Sequence, residues 1–270
     1  MMHSFGPDAR VTVAIDDSGV AQVRLNRADR LNALDMGMFA ALAEAGGALF
    51  EQPGLRAVVL AGEGRAFSAG LDLSMMQVLA GTDGPSLLDR SHGNANLFQQ
   101  AALVWRKLPV PVIAAIHGAC FGGGLQIAGG ADIRVVAPDA RLAIMEAKWG
   151  LVPDMGGFVL WRDCVRADVL RDLTWTAREF SGAEAAQWGF ATWVDADPLA
   201  RAQAIAAGMA TRSPHATQLA KGLFNRLDEL DQDAVLMEES RLQSALIGSP
   251  NQLEAVRSQI EGRPPAFGDP

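Results

Sequence analysis

Short β-branched runs at Val11–Asp16 and Val20–Leu25 flank the turn residues Asp17-Ser18-Gly19, which predicts a β-hairpin. Ala33–Phe50, rich in Ala, Leu and Met, predicts a helix that stops near Pro53-Gly54. Arg56–Ala61 reads RAVVLA, the continuous apolar run of a strand buried on both faces. Thr82–Pro85 reads as a mobile surface loop. An amphipathic pattern over Asn96–Leu108 predicts a second helix, stopped by Pro109 and Pro111, and Val112–Ile116 predicts the strand after it. Gly118–Gly124 is dense in glycine, Leu125–Ala128 reads as helical, and Ile133–Ala137 and Leu142–Met145 read as short strands. Ser181-Gly182-Ala183-Glu184 has the form of a capping box opening a short helix that ends near Gly189.

Past Asp197-Pro198 the pattern is helical throughout: Leu199–Thr211, His215–Leu227, Ala234–Ile247 and Leu253–Ile260, broken at Ser213-Pro214 and Ser249-Pro250. The expected architecture is an α/β core over residues 1–197, with crossover connections and a parallel sheet, then a helical appendage over 198–270. The apolar stripes of those last helices need a partner face, so the appendage is expected to pack across a subunit boundary.

Composition narrows the function classes. At 270 residues, 49% apolar and 20% charged, with 28 glycines, the chain can bury a sizeable core; disorder, a collagen-like repeat and a disulfide scaffold are excluded. The net charge is −8, acidic residues are scattered and no Lys/Arg cluster occurs, so no nucleic-acid partner is expected. The longest apolar stretch, Val110–Ile116, contains Pro111 and falls far short of the roughly 20 residues a membrane span needs. Met1–Arg10 has no basic segment followed by an apolar one, so no secretory signal is expected. Cys120 and Cys164, far apart among apolar neighbours, predict free thiols and a reducing, cytoplasmic compartment.

Three stretches carry chemistry. In Gly118-Ala-Cys-Phe-Gly122-Gly123-Gly124-Leu-Gln126, glycines follow a buried strand and open a helix, whose free N–H groups favour negative charge. Tight helix–strand packing without a ligand explains the same glycines equally well. This is no dinucleotide fingerprint, because the third glycine would fall at Ile127, and no Gly-Lys-Ser/Thr marks a phosphate loop. Arg65–Leu73 supplies a second glycine turn; Ser68 follows Ala66-Phe67 and so lacks a nucleophile elbow, and Asp72 reads as a cap or turn residue. Met145–Gly157 holds two carboxylates, Glu146 and Asp154, among apolar neighbours that should raise their pKa values and suit them to acid/base work. A salt bridge to Lys148, or a helix cap at Asp154, is the competing structural reading. His3, His92, His117 and His215 show no metal spacing, and His117 reads as a satisfied core histidine. Trp149, Trp161 and Trp175 read as core.

Taken together, these stretches resemble the crotonase, or enoyl-CoA hydratase/isomerase, superfamily. The resemblance is carried by Leu25-Asn26-Arg27 with Leu31-Asn32-Ala33-Leu34, by Phe67–Leu73, by His117-Gly118 through Gly124, by Glu146…Gly150-Leu151…Pro153…Gly156-Gly157, by Ala220-Lys221 with Asn225, and by Glu261–Phe267, in that order. It implies a spiral of β-β-α turns, a coenzyme A thioester as ligand, no other cofactor or metal, and a homotrimer or dimer of trimers. It implies backbone N–H donors for an oxyanion at Leu71 and Gly123, and CoA contacts near Arg27, Arg30, Leu31, Ser68, Ala69, Gly70 and Gly122. The acyl pocket is expected between Met75 and Phe98. The family's two hydratase acids match Gln126 and Glu146, so the first is an amide here. An amide aligns water but exchanges no proton at neutral pH, which disfavours hydration. The isomerase branch fits better, with Glu146 as base and Asp154, at the dienoyl-isomerase spacing, as a second acid/base. Hydration by Glu146 alone and a non-catalytic acyl-CoA binder are the alternatives.

Overall fold

The structure, a computed structural model, describes residues 2–81 and 86–270; the loop expected at Thr82–Pro85 lies outside them. The predicted hairpin forms from β2 (Val11–Ile15) and β3 (Val20–Leu25), antiparallel with Val11 opposite Leu25, and β1 (Met2–Phe5) extends it. α1 (Met36–Phe50) starts later than the composition of Ala33–Phe50 suggests. Leu31 and Asn32 take left-handed φ of 52° and 55°, and the helix begins only after Asp35, whose carboxylate accepts the Met38 N–H.

Three spiral turns follow. β4 (Ala57–Gly62) leads to α2 (Met75–Ala80) and α3 (Leu97–Lys107). β5 (Val112–Ile116) and β6 (Ala119–Phe121) lead to α4 (Gly123–Gly129). β7 (Ile133–Val136) and β8 (Arg141–Ala143) lead to α5 (Gly157–Trp161) and α6 (Ala167–Thr176). β9 (Phe180–Ser181), α7 (Gly182–Trp188) and β10 (Trp193–Val194) close the spiral, with the Ser181 capping box formed as expected. The short α2 and β6 have no sequence counterpart above, since neither offers a run long enough for periodicity to register; α6, half apolar, also has none, although Val169, Leu170 and Leu173 mark its inward face.

The large sheet has the order β1-β2-β3-β4-β5-β7-β10 and is parallel from β3 onward; β6-β8-β9 form a second, small sheet. Both faces of the large sheet are covered. Val58 and Leu60 join α1 and α3 in the main core, while Ala57, Val59 and Ala61 face Ala202 and Ala206 of α8 (Pro198–Ala210). That alternation is why RAVVLA is apolar without interruption. α9 (Pro214–Phe224), α10 (Gln232–Leu246) and α11 (Pro250–Glu261) follow.

Lys221 and Asn225 fasten α9 to the core. The Lys221 ammonium donates to Asp132 Oδ2 at 2.7 Å and to the Val110 carbonyl at 2.8 Å, and Asn225 donates to the Arg106 carbonyl at 2.8 Å. The tryptophan expectation needs correction. Trp161 is core at 1% exposure, but Trp149 and Trp175 are 51% and 74% exposed. The first stands on the turn after β8 and the second on the outer face of α6, where no second layer covers them.

Candidate active site

After β4 the chain lies along β6. The Phe67 N–H donates to the His117 carbonyl (2.9 Å), the Ser68 N–H to Ala119 (3.0 Å), and the Phe121 N–H to Ser68 (3.0 Å). β6 pairs in parallel with β8, and the Gly122 N–H reaches the Ala143 carbonyl at 2.9 Å. The three chemistry-bearing stretches, separated in sequence, therefore run side by side.

Gly70 lets the first turn close on the second. Its φ is +84°, and a Cβ there would fall 2.6 Å from the Phe121 carbonyl oxygen and 3.8 Å from the Gly123 nitrogen. Leu71 follows Gly70, and Gly123 opens α4 behind Gly122, whose φ is +49°. The N–H groups of Ala69, Gly70, Asp72 and Gly122 all donate within the chain; among the described residues those of Leu71 and Gly123 do not. Two unspent backbone donors on adjoining turns are the equipment an oxyanion needs.

Glu146 begins the 3₁₀ turn after β8 and is 9% exposed. Its Oε1 accepts the Gln126 side-chain N–H at 2.7 Å; its Oε2 is buried without a partner. Burial pushes the Glu146 pKa up, against the lowering effect of its own backbone N–H and of the Gln126 N–H, and the Asp154 charge adds to the rise. The carboxyl sits against the start of α4, since a Cβ on Gly122 would stand 3.4 Å from Oε1.

Asp154 lies in the exposed loop before α5, yet the atoms crowding its carboxyl raise its pKa too. Neither structural role suggested for it is realised. Gly156 is the N-cap of α5, and Lys148 turns over the Trp149 ring, 5.8 Å from its centroid, with no ion pair to Asp154 among the described residues.

Gln126, 1% exposed, joins the two acids' surroundings: its Oε1 accepts the Met155 and Gly157 N–H groups, each at 2.9 Å. Arg27 and Ser68 are spent inside the fold. The Arg27 guanidinium donates to Asp72 (2.7 Å) and the Ala33 carbonyl (3.1 Å) and lies 3.4 Å from Asp35. The Ser68 hydroxyl donates to the Asn32 carbonyl at 2.9 Å and accepts the Gly70 N–H at 3.2 Å. Both shape the first glycine turn from within. Asp72 is a turn residue as expected; Ser74 N–H and hydroxyl donors, with Arg27, hold its pKa down to about 2. Arg30 stands exposed, while Leu31 and Ala69 are half-buried at the edge of that turn. His117 is half-buried and satisfied by the Gly64 carbonyl at 2.9 Å.

Sequence reasoning missed the work of Asn32. It is fully buried, donates to the Glu63 and Ala66 carbonyls at 2.9 Å each, and accepts the Arg27 N–H at 2.8 Å. Its left-handed φ is one Asn tolerates better than most residues, a signal too weak to read without the fold. No cluster of three or more His, Cys, Asp or Glu side chains suited to a metal occurs among the described residues.

Residues 16–270 match the model of the family described as enoyl-CoA hydratase/isomerase. The chain belongs to the enoyl-CoA hydratase/isomerase family. It is 32% identical over 260 residues to the peroxisomal Delta(3,5)-Delta(2,4)-dienoyl-CoA isomerase of Arabidopsis thaliana, covering 93% of each chain. It is 34% identical over 252 residues to a Mycobacterium leprae protein named "Probable enoyl-CoA hydratase", covering 92% of this chain and 96% of that one. The crystal structure of a Mycobacterium smegmatis enoyl-CoA hydratase superposes with a TM-score of 0.82 at 29% identity, over 95% of this chain and 98% of that one. The family makes this chain an enzyme of acyl-CoA metabolism and leaves the choice between isomerisation and hydration to the site itself.

Proposed function

We propose that the chain isomerises enoyl-CoA thioesters, moving a carbon–carbon double bond into conjugation with the thioester carbonyl. The observation that carries this reading is the pairing of one buried, orphaned carboxylate oxygen, Glu146 Oε2, with an amide rather than a second acid at 126. Glu146 Oε2 takes a proton from C2; the C–H electrons form the C1–C2 double bond, and negative charge moves to the thioester oxygen. The Leu71 and Gly123 N–H groups stabilise that oxygen. As the carbonyl re-forms, the double bond moves to C2–C3 and a proton is added at C4. Asp154 delivers that proton, the one the Glu146–Asp154 pair retains, and burial moves its pKa upward, the direction an acid needs.

Gly70 and Gly122 let the substrate oxygen approach. Arg30, Leu31 and Ala69 meet the CoA moiety, while Arg27 and Ser68 act on it through the shape of the turn they brace. No cofactor beyond that CoA is required, and the assembly is a homotrimer or dimer of trimers. Glu146→Gln tests the role of the base. It is expected to cut turnover of a 3-enoyl-CoA by about 10²–10⁴-fold with CoA-ester binding kept, and retained turnover contradicts the reading.

A further inference from the structure

We propose that Gln126 is the positioning residue that sets Glu146 and Asp154 relative to each other, and so makes them separate proton carriers; this rests on the isomerase reading above. One planar amide makes both attachments. At one end, its N–H holds Glu146 Oε1 at 2.7 Å. At the other, its oxygen accepts the Met155 N–H, which belongs to the peptide immediately after Asp154, and the Gly157 N–H. The amide orientation is fixed by chemistry, because two backbone donors can only meet the oxygen, which leaves the nitrogen for Glu146.

Two consequences follow for the reaction. Glu146 is pinned through Oε1, so Oε2 alone faces the chemistry, and swinging the carboxylate from C2 to C4 requires breaking the Gln126 bond. Delivery at C4 then falls to Asp154, whose loop Gln126 also holds. In addition, the amide nitrogen never yields its proton to Glu146, so no proton runs between positions 126 and 146 to activate a water molecule. Among the described residues, no Lys, Arg or His hydrogen-bonds Glu146; the charged group whose field reaches it is Asp154.

The test compares the wild type with Gln126→Met and Gln126→Glu in heavy water, with 3-enoyl-CoA as substrate. Two rates are read: deuterium exchange at C2 and double-bond migration. Gln126→Met keeps side-chain length but frees both attachments. It is expected to retain C2 exchange while the ratio of migration to exchange falls about 10²-fold, with KM little changed. Gln126→Glu keeps an acceptor for the Met155 and Gly157 N–H groups, but meets Glu146 through a shared proton. It is expected to restore migration at low pH and lose it as that proton leaves, and to form 3-hydroxyacyl-CoA from 2-enoyl-CoA. A binding-independent check is carbon-13 NMR titration of the Glu146 carboxyl, whose midpoint should rise in Gln126→Met because a donor is lost. The proposal is overturned if exchange and migration fall by the same factor in Gln126→Met, or if the Glu146 midpoint does not move. A wild type that neither exchanges nor migrates removes the isomerase reading instead, and the NMR midpoint still decides whether Gln126 sets the state of Glu146.

Discussion

Glu146 Oε1 accepts the Gln126 side-chain N–H, and Oε2 has no hydrogen-bond partner in a buried site. The folded protein therefore favours the protonated carboxyl, and the base form is gained only as pH rises through a value above the ordinary glutamate pKa. The plot of kcat/KM against pH should be a bell, because the active form carries one proton on the Glu146–Asp154 pair, with its alkaline limb displaced upward from the ordinary carboxylate value. The two apparent values belong to the pair. Asp154→Asn should remove the alkaline limb, and a limb that persists there assigns the acid elsewhere. The same shift has a consequence for stability. Between the ordinary and the raised pKa the native state holds more protons than the unfolded chain, so stability falls as pH rises through that window. Glu146→Gln should accordingly raise Tm at neutral pH, with the gain closing as pH drops to the ordinary glutamate value; calorimetry across pH measures it. Both carboxylates were legible in the sequence because their neighbours are apolar. The partners of Gln126 were not, since the Met155 and Gly157 N–H groups carry no side-chain signature and come from a segment 29 to 31 residues away.

The glycine turns and their helices were legible where composition dictates conformation. Gly70 and Gly122 sit at positive φ, and the capping box at Ser181 starts α7; the one at Asn96, which starts α3, is seen only in the structure. A Cβ at Gly70 meets the Phe121 carbonyl, so Gly70→Ala should push Leu71 away from Gly123 and reduce kcat by about 10²-fold or more while the chain still folds, checked by turnover beside circular dichroism. The lateral order of the elements was not legible. Pairing of Ser68 with Cys120, or of β6 with β8, depends on the closing of the spiral and leaves no local trace. At α9, the Lys221 and Asn225 spacing that carries part of the resemblance becomes a clamp on the ends of α3 and β5. Lys221→Ala leaves the half-exposed Asp132 with only its Val112 N–H and should destabilise the fold by about 2 kcal/mol, read from the urea midpoint. An unchanged midpoint would mean that α9 is held by its apolar contacts alone.

At the scale of the whole molecule, apolar side chains remain uncovered on the last helices: Phe224, Met237, Ile247 and Ile260 are 70%, 70%, 66% and 81% exposed. Such a surface fits the proposed trimer, in which residues 198–270 pack against neighbouring copies. Sedimentation should give a mass that is a multiple of three chains, and Met237→Glu should lower it; a 28.6 kDa monomer would contradict the assembly. α8 was read in sequence as the first part of an appendage, whereas Ala202 and Ala206 lie on the large sheet; the small residues that permit this contact give no pattern distinct from that of any amphipathic helix. The most direct test of the central claim is product analysis by mass spectrometry and NMR after the wild-type protein acts in heavy water on a 3-enoyl-CoA and, separately, on a 2-enoyl-CoA. The account predicts double-bond migration from the first without addition of water, and little 3-hydroxyacyl-CoA from the second. Rapid formation of the 3-hydroxy thioester would contradict it, because an amide at position 126 would then be no bar to hydration.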